Sequence, residues 1–326
     1  MLLKPKFLSG QIDGPVIAAK INRILSVKLT ILGSGSAVPT LLRNVTAQYL
    51  NLDERRILID CGEGTQIQLR RFKVKFQRLQ YIFISHLHGD HFLGIFGLLS
   101  SMSLTGRTNP LTIYCPRGLK ELIELQFKIS GVHLSYELIF FELNCNTKEL
   151  IIEDNVMEVY AFPVKHRVNT YGFLFCQKEK ERSIDKLQIT KHRLTIQEIH
   201  QLKAGEDIIR NGQTIPNSVL TIAPVQPKKY AYSSDTAFLP KICEWIEGAD
   251  LLYHEATFAD KDSVRAKSTM HSTAKQAATI ARDAHVKKLL LGHFSARYKN
   301  TDILLNEARI IFPNTFCVTD GDDFIL

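Results

Sequence analysis

The chain has no apolar run approaching the ~18 residues that a bilayer span requires, so no membrane-crossing helix is expected. Its start, Met1-Leu2-Leu3-Lys4-Pro5-Lys6, lacks a continuous apolar core and a small-residue cleavage site, so no export signal is read there. Cys61, Cys115, Cys145, Cys176, Cys243 and Cys317 lie far apart and form no Cys-x-x-Cys pair. In a long chain with no export signal, that spacing predicts reduced, buried thiols and a cytoplasmic setting. Short repeats and low-complexity tracts are absent. A dinucleotide fingerprint is absent too: Gly33-Ser34-Gly35-Ser36-Ala37-Val38 lacks the third glycine, and Pro39 stands where a helix would begin. No nucleotide cofactor is therefore expected, and residues 33–39 read as a loop near the active face.

What is present is an ordinary globular composition, 45% hydrophobic and 23% charged, over 326 residues, enough for one large domain or two. The net charge of +8 favours polyanionic partners. Residues 1–26 carry Gly10, Gly14 and Pro15 without clear periodicity and read as an N-terminal appendage. From Val27 the pattern alternates strand and helix. Strands are expected over residues 27–32, 47–52, 56–60, 81–85, 111–115, 156–162, 171–176, 230–233, 251–254, 288–291 and 316–319. Helices are expected over 65–72, 92–103, 118–127, 240–246, 272–284 and 302–311, with Ser272 as an N-cap. Two halves of this kind predict two packed sheets with helices outside. The stretch 177–229 differs, with ten Lys or Arg, six Asp or Glu and one short helix at 196–202. Such a long, weakly apolar insertion is usually functional or mobile.

The most informative segment is His86-Leu87-His88-Gly89-Asp90-His91, directly after the apolar run 81–85. It packs three imidazoles and a carboxylate into six residues at the end of a buried strand, a donor set suited to zinc. In a tight turn, His86 and His88 can converge on one cation while Asp90 and His91 face a second. One hexapeptide supplies too few ligands for two cations. His166, Asp235 and His293 each follow an apolar strand in the same way and complete the candidate set, with Asp235 able to bridge. Glu255, also at a strand end, and His271 form a candidate pair for protonating a leaving oxygen. His133, His192, His200 and His285 fit no such context.

These residues resemble the metallo-β-lactamase superfamily: His86-x-His88-x-Asp90-His91 with Asp60-x-Gly62, His166, Asp235 and His293. Within it they resemble the ribonuclease Z family, tRNA 3′-processing endonucleases. The narrower resemblance rests on Gly33 to Pro39 with Arg43-Asn44, on His254-Glu255-Ala256-Thr257-Phe258, on His271-Ser272-Thr273-Ala274, and on His293-Phe294-Ser295-x-Arg297-Tyr298. The resemblance covers most of residues 27–326. It implies an α/β fold, an αββα four-layer sandwich with residues 177–229 as an inserted, substrate-binding arm on one catalytic domain. It implies two zinc ions per subunit, the first on His86, His88, His166 and Asp235, the second on Asp90, His91, Asp235 and His293. Asp90 is then the proton acceptor for the attacking water, and Glu255 and His271 assist the leaving group. Asp60 holds the ligand loop, and Arg43 and Asn44 belong to a substrate loop. The implied substrate is precursor tRNA, cut after the discriminator base to leave a 3′-hydroxyl, and the implied assembly is a homodimer. The arm departs from the family's pattern, with no Gly-Pro between residues 187 and 207. Two other readings remain open at this point: another phosphodiesterase or hydrolase of the superfamily, and a metal-containing RNA-binding protein without catalysis.

Overall fold

The computed structural model describes residues 27–184 and 186–326; the expected appendage, 1–26, lies outside the described residues. In chain order the first half supplies β1 (Val27–Gly33), β2 (Ala47–Leu52), β3 (Arg55–Ile59), β4 (Tyr81–Phe83), β5 (Leu111–Pro116) and β6 (Leu138–Leu143). Next come β7 (Glu149–Glu153), β8 (Met157–Val164) and β9 (Thr170–Gln177). The inserted stretch holds β10 (Ser183–Ile184), β11 (Ile208–Arg210), β12 (Gln213–Ile215) and β13 (Thr221–Ile222). Finally there are β14 (Lys229–Ser233), β15 (Leu251–Glu255), β16 (Leu289–Gly292), β17 (Thr315–Cys317) and β18 (Asp323–Ile325).

Two seven-stranded sheets result, ordered β18-β1-β2-β3-β4-β5-β6 and β17-β16-β15-β14-β9-β8-β7. Each joins an antiparallel meander to a parallel run: β3 to β6 in the first, β14 to β17 in the second. Both faces of both sheets are covered, which is why the central strands read as near-continuous apolar runs rather than alternating ones. All of β15 and β16 is buried. Between the sheets, Phe83 stacks on Tyr114 at 5.0 Å and meets the edges of Phe173 at 5.1 Å and Phe175 at 5.2 Å. Helices Thr65–Arg71, Ile95–Leu104 and Leu119–Ser130 bury Leu69, Leu98, Leu99 and Ile123 on the first sheet's outer face. Ala274–Asp283 and Asp302–Arg309 do the same on the second with Ala277, Ala278, Ala281 and Leu304. The layers are the αββα sandwich that the resemblance implies.

Several boundaries differ from expectation. Gly94 separates a single turn, Gly89–Phe92, from Ile95–Leu104, where one helix over 92–103 was expected. A Cβ on Gly94 would lie 2.1 Å from the Gly62 carbonyl oxygen, so glycine is required where the two loops touch. Thr273, not Ser272, caps the helix Ala274–Asp283, through a capping box with Gln276. The Ser272 hydroxyl instead donates to the Thr236 carbonyl at 2.7 Å. All six cysteines are free, but of the burial expected for them only Cys61, Cys115 and Cys145 show it, while Cys176, Cys243 and Cys317 are half-buried.

β1, β3, β4, β8, β14, β15 and β16 all end at one edge of the sandwich, the usual place for a ligand in sheets of this type. The inserted stretch leaves β9 and re-enters at β14, so its root lies at the opposite strand ends, where the Gln177 N–H donates to the Lys228 carbonyl. It carries its own small core of Leu194, Leu202, Ile208 and Leu220. Its helix Ile196–Ala204 starts at a Thr195–Glu198 capping box and stops at Gly205, φ 95°. Arg210 clamps Glu198 with two hydrogen bonds of 2.7 Å, and that guanidinium draws the Glu198 carboxyl down to about 2.

Candidate metal centre

Each of the expected ligands stands at the shared edge. His86, His88 and His91 follow β4, His166 follows β8, Asp235 follows β14 and His293 follows β16. His86, His91, His293 and Asp235 are buried. Around the first position, His88 Nδ1 lies 3.0 Å from His86 Nε2 and 3.2 Å from His166 Nε2, and Asp235 Oδ2 lies 3.7 Å from His86 Nε2. Around the second, His293 Nε2 lies 3.3 Å from His91 Nε2, 3.4 Å from Asp90 Oδ2 and 3.2 Å from Asp235 Oδ1. A tetrahedral cation bound at about 2.0–2.1 Å keeps its ligand atoms about 3.3 Å apart, which is the spacing seen here.

The protons of these rings point elsewhere. His91 Nδ1–H donates to Asp60 Oδ2 at 2.8 Å and His166 Nδ1–H to the Met270 carbonyl at 2.9 Å. Carboxylate and carbonyl oxygens only accept, so each Nε2 is left with a lone pair aimed inward. His293 Nδ1 meets Thr257 Oγ1 at 2.9 Å and His86 Nδ1 meets Ser85 Oγ at 3.0 Å. Asp235 Oδ1 is buried without a hydrogen-bond donor. Lone pairs converging on an orphaned carboxylate oxygen are a defect unless a cation lies among them. Charge agrees: burial holds His86, His88 and His166 below the usual imidazole range, in the neutral, ligating form. At His91 burial works the same way, but Asp235, Asp90 and Asp60 outweigh it and raise its pKa. Three carboxylates thus call for positive charge at this spot, and the residues fit a metal.

Asp60 is buried behind the ligands and takes donors from Ser85 N at 2.7 Å, Ser85 Oγ at 2.9 Å and the Tyr232 hydroxyl at 2.5 Å, besides His91. Asp60 and His293 both hold left-handed backbone, φ 57° and 58°, a cost that surrounding contacts must offset. Gly62 lets this loop close: a Cβ there would sit 2.3 Å from the Asp90 carbonyl oxygen. Glu255 is buried and accepts from Thr236 N at 3.0 Å, Thr257 N at 3.1 Å and Thr257 Oγ1 at 2.7 Å. Its Oε1 lies 2.8 Å from His271 Nδ1. Burial opposes a charge on His271, yet Glu255 and then Asp235 outweigh it and raise its pKa to about 9. His271 Nε2 is the nitrogen left to face a substrate.

Arg43 and Asn44 lie where the substrate loop was expected, but the Arg43 guanidinium is turned inward. It donates to the Tyr298 carbonyl at 2.9 Å and covers the Phe294 ring at 5.3 Å. The Asn44 side chain donates to the Glu63 carbonyl at 3.0 Å. The loop's visible contact with the centre is a backbone one: Ala37 N–H, at φ 61°, donates to Asp90 Oδ2 at 2.8 Å. The residue that fastens this loop was not found from sequence. Asp320 Oδ1 accepts from Ser34 N at 3.0 Å and Ser34 Oγ at 2.7 Å, and Oδ2 accepts from Asn44 N at 2.7 Å and Gln68 Nε2 at 2.9 Å. An Asp in the turn Thr319-Asp320-Gly321, followed by Asp322 and Asp323, carries no signal of this. Replacing Asp320 by Ala orphans these donors at about 1–3 kcal/mol for each buried group. Urea denaturation of Asp320→Ala is expected to show a loss of about 2 kcal/mol or more, with Asp320→Asn intermediate.

Sandwich and edge cluster together define a protein of the metallo-β-lactamase fold. A family model described as a beta-lactamase superfamily domain matches residues 185–294, and one described as Anti-Pycsar protein Apyc1 matches residues 27–191. The chain is 46% identical over 295 residues to a ribonuclease Z of Bacteroides fragilis, covering 90% of this chain and 97% of that protein. It is 41% identical over 291 residues to a ribonuclease Z of Porphyromonas gingivalis, covering 89% and 96%. The crystal structure of human tRNase Z, short form, superposes with a TM-score of 0.68 at 28% identity, covering 91% of this chain and 98% of that one. The chain belongs to the ribonuclease Z family.

Proposed function

We propose that this chain is a metal-dependent endoribonuclease that removes the 3′ trailer of precursor tRNA, cutting after the discriminator base and leaving a 3′-hydroxyl. The observation that carries this reading is the Glu255–His271 pair, 2.8 Å apart, standing beside seven converging metal ligands. We read the ligand set as two zinc sites, His86, His88, His166 and Asp235 for one and Asp90, His91, Asp235 and His293 for the other. Bound there, two such cations supply Lewis acidity that makes water acidic near neutral pH and offsets charge on phosphate oxygens. The Asp90 carboxylate, oriented by the Ala37 N–H, accepts the proton of the attacking water. His271, tied through Nδ1 to Glu255, donates the Nε2 proton to the departing 3′-oxygen. Asp60 keeps the His91 ring in the tautomer that ligates.

Residues 27–326 are read as one catalytic domain, with 177–229 as an arm that grips the RNA. The arm's root lies at the strand ends remote from the metal edge. β9 is eight residues long, about 25 Å at the usual rise. An arm so placed serves the centre of a partner subunit better than its own, which favours a homodimer, working in the cytoplasm where precursor tRNA is found. Because β10 pairs with β13 at the arm's neck, Ser183 opposite Ile222, replacing the segment between them by a short linker spares the sandwich. KM for precursor tRNA is expected to rise at least ~10-fold with a shallower salt dependence. Hydrolysis of bis(p-nitrophenyl) phosphate is expected to stay within about twofold. Equal losses on both substrates would make the segment structural. The same comparison on the intact chain separates this reading from a general phosphodiesterase, since small diesters suit both and only the RNA distinguishes them.

A further inference from the structure

Nine residues that close the helix Thr65–Arg71 and run on from it, Arg70-Arg71-Phe72-Lys73-Val74-Lys75-Phe76-Gln77-Arg78, carry five cations and no anion. All five cationic side chains are exposed, and none makes an ion pair among the described residues. Several surface cations elsewhere are matched, Arg55 with Asp154 at 2.7 Å, Lys178 with Glu153 at 2.8 Å and Lys287 with Asp250 at 2.8 Å, and what sets this run apart is five unmatched cations in nine residues. Concentrated like charge repels itself and adds nothing to folding, so its persistence points to an anionic ligand.

The fold adds to this run from other strands. Lys28 on β1 and Arg56 on β3 come to the same face, and a recess of about 310 Å³ there is lined by Lys28, Arg56, Lys73, Lys75 and Arg78 with Tyr49 and Phe72; Lys28 is paired with Asp323 at 2.9 Å and Arg56 with Glu54 at 2.5 Å, which leaves Lys73, Lys75 and Arg78 unmatched. Two guanidiniums are seated on aromatic faces, Arg70 on Phe76 at 5.6 Å and Arg71 on Phe72 at 5.8 Å. Stacking limits their rotamers, so less freedom is lost when they meet phosphate. The recess stands at the starts of β1 and β3, the strand ends remote from the metal edge, and one helix runs from that edge toward it. Helix Thr65–Arg71 starts at Gly64, where a Cβ would lie 3.1 Å from Asn44 Oδ1, and ends on the cationic run seven residues later, about 10 Å along the axis. A second copy of the chain is a poor occupant, because the same patch on both partners would set cation against cation.

We propose that this face binds the sugar-phosphate backbone of the RNA duplex that carries the 3′ trailer. This rests on the RNA-processing reading above. It adds a contact surface on the sandwich itself, separate from the arm and from the 34–44 loop. Phosphate contacts of this kind position the duplex without reading its sequence.

The test is the full-length triple variant Lys73→Gln, Lys75→Gln, Arg78→Gln, with single Lys75→Gln beside it, both checked for an unchanged thermal melt. Binding of a precursor tRNA, and of a short RNA duplex without a trailer, is followed by fluorescence anisotropy between 50 and 200 mM salt. Each lost phosphate contact removes about one unit from the slope of log K against log salt. The triple variant is expected to bind both RNAs at least ~10-fold more weakly, with a slope reduced by about two to three units. The single variant should lose about one unit. kcat at saturating RNA, and turnover of bis(p-nitrophenyl) phosphate, should stay within about twofold of the parent. Unchanged affinity and slope in a triple variant that still cleaves would overturn the proposal, as would loss of binding to anionic lipid vesicles with RNA binding intact. If the parent chain cuts no precursor tRNA, the function proposed above fails by itself. The trailer-free duplex still decides the role of this face in that case.

Discussion

Asp90→Ala is expected to lower turnover of precursor tRNA by ~10²–10⁴-fold, the range for removing a general base, while RNA affinity stays within about threefold. Asp90 does three things at one carboxylate. It faces His91 and His293 at 3.5 and 3.4 Å, where the proposal makes it a ligand of the second position, and it takes the Ala37 N–H at 2.8 Å. In the proposed mechanism it also receives the proton of the attacking water. The two neighbouring imidazoles outweigh its burial and hold its carboxyl well below the usual range, so it is ionised throughout the working pH. Metal content measured beside kcat apportions the loss. A variant that keeps one metal per chain and loses activity fits the assignment. A variant with near-parental kcat removes Asp90 from the chemistry.

His271→Ala is expected to cost ~10²–10³-fold on precursor tRNA, and far less on bis(p-nitrophenyl) phosphate. The nitrophenolate departs without help from an acid, whereas a ribose 3′-oxygen needs a proton. The pH profile carries a sign. Glu255 and Asp235 raise His271 to about 9, so its proton is present below that value and lost as pH rises through it. The alkaline limb of kcat therefore falls near pH 9, or lower once metal charge opposes the imidazolium. Glu255→Gln removes the largest favourable charge, and the limb should move to lower pH by about one unit or more. A limb that stays in place would mean that another group donates the proton.

The clustering of the candidate ligands was legible in the sequence because parallel and meander strands deliver their last residues to one edge. A candidate ligand there is simply the His or Asp that follows an apolar run, as His86, His166, Asp235 and His293 do. The four-layer fold was legible for the same reason, since strands buried on both faces are written as unbroken runs of Leu, Ile and Phe. β6 and β7 were missed because they are edge strands with exposed faces, and Glu149–Glu153 offers little apolar signal. The supporting contacts were illegible for a different reason. Met270 acts through its carbonyl and Ala37 through its N–H, atoms that every residue has. Asp320 lies 276 positions from Asn44 and 286 from Ser34, so only the closed sheet joins them. Arg43 shows the converse. The family resemblance placed it in a substrate loop, and packing turned it onto Phe294 and the Tyr298 carbonyl. The basic face at 70–78 was visible as letters, but its meaning came from Lys28 and Arg56 arriving on neighbouring strands.

The most direct measurement is cleavage of a precursor tRNA carrying a 3′ trailer, mapped to the nucleotide, with and without prior removal of metal by a chelator. The account predicts one cut after the discriminator base, a 3′-hydroxyl on the tRNA, loss of the cut on chelation and its return with added zinc. An intact precursor beside metal-dependent hydrolysis of a small phosphodiester would contradict it.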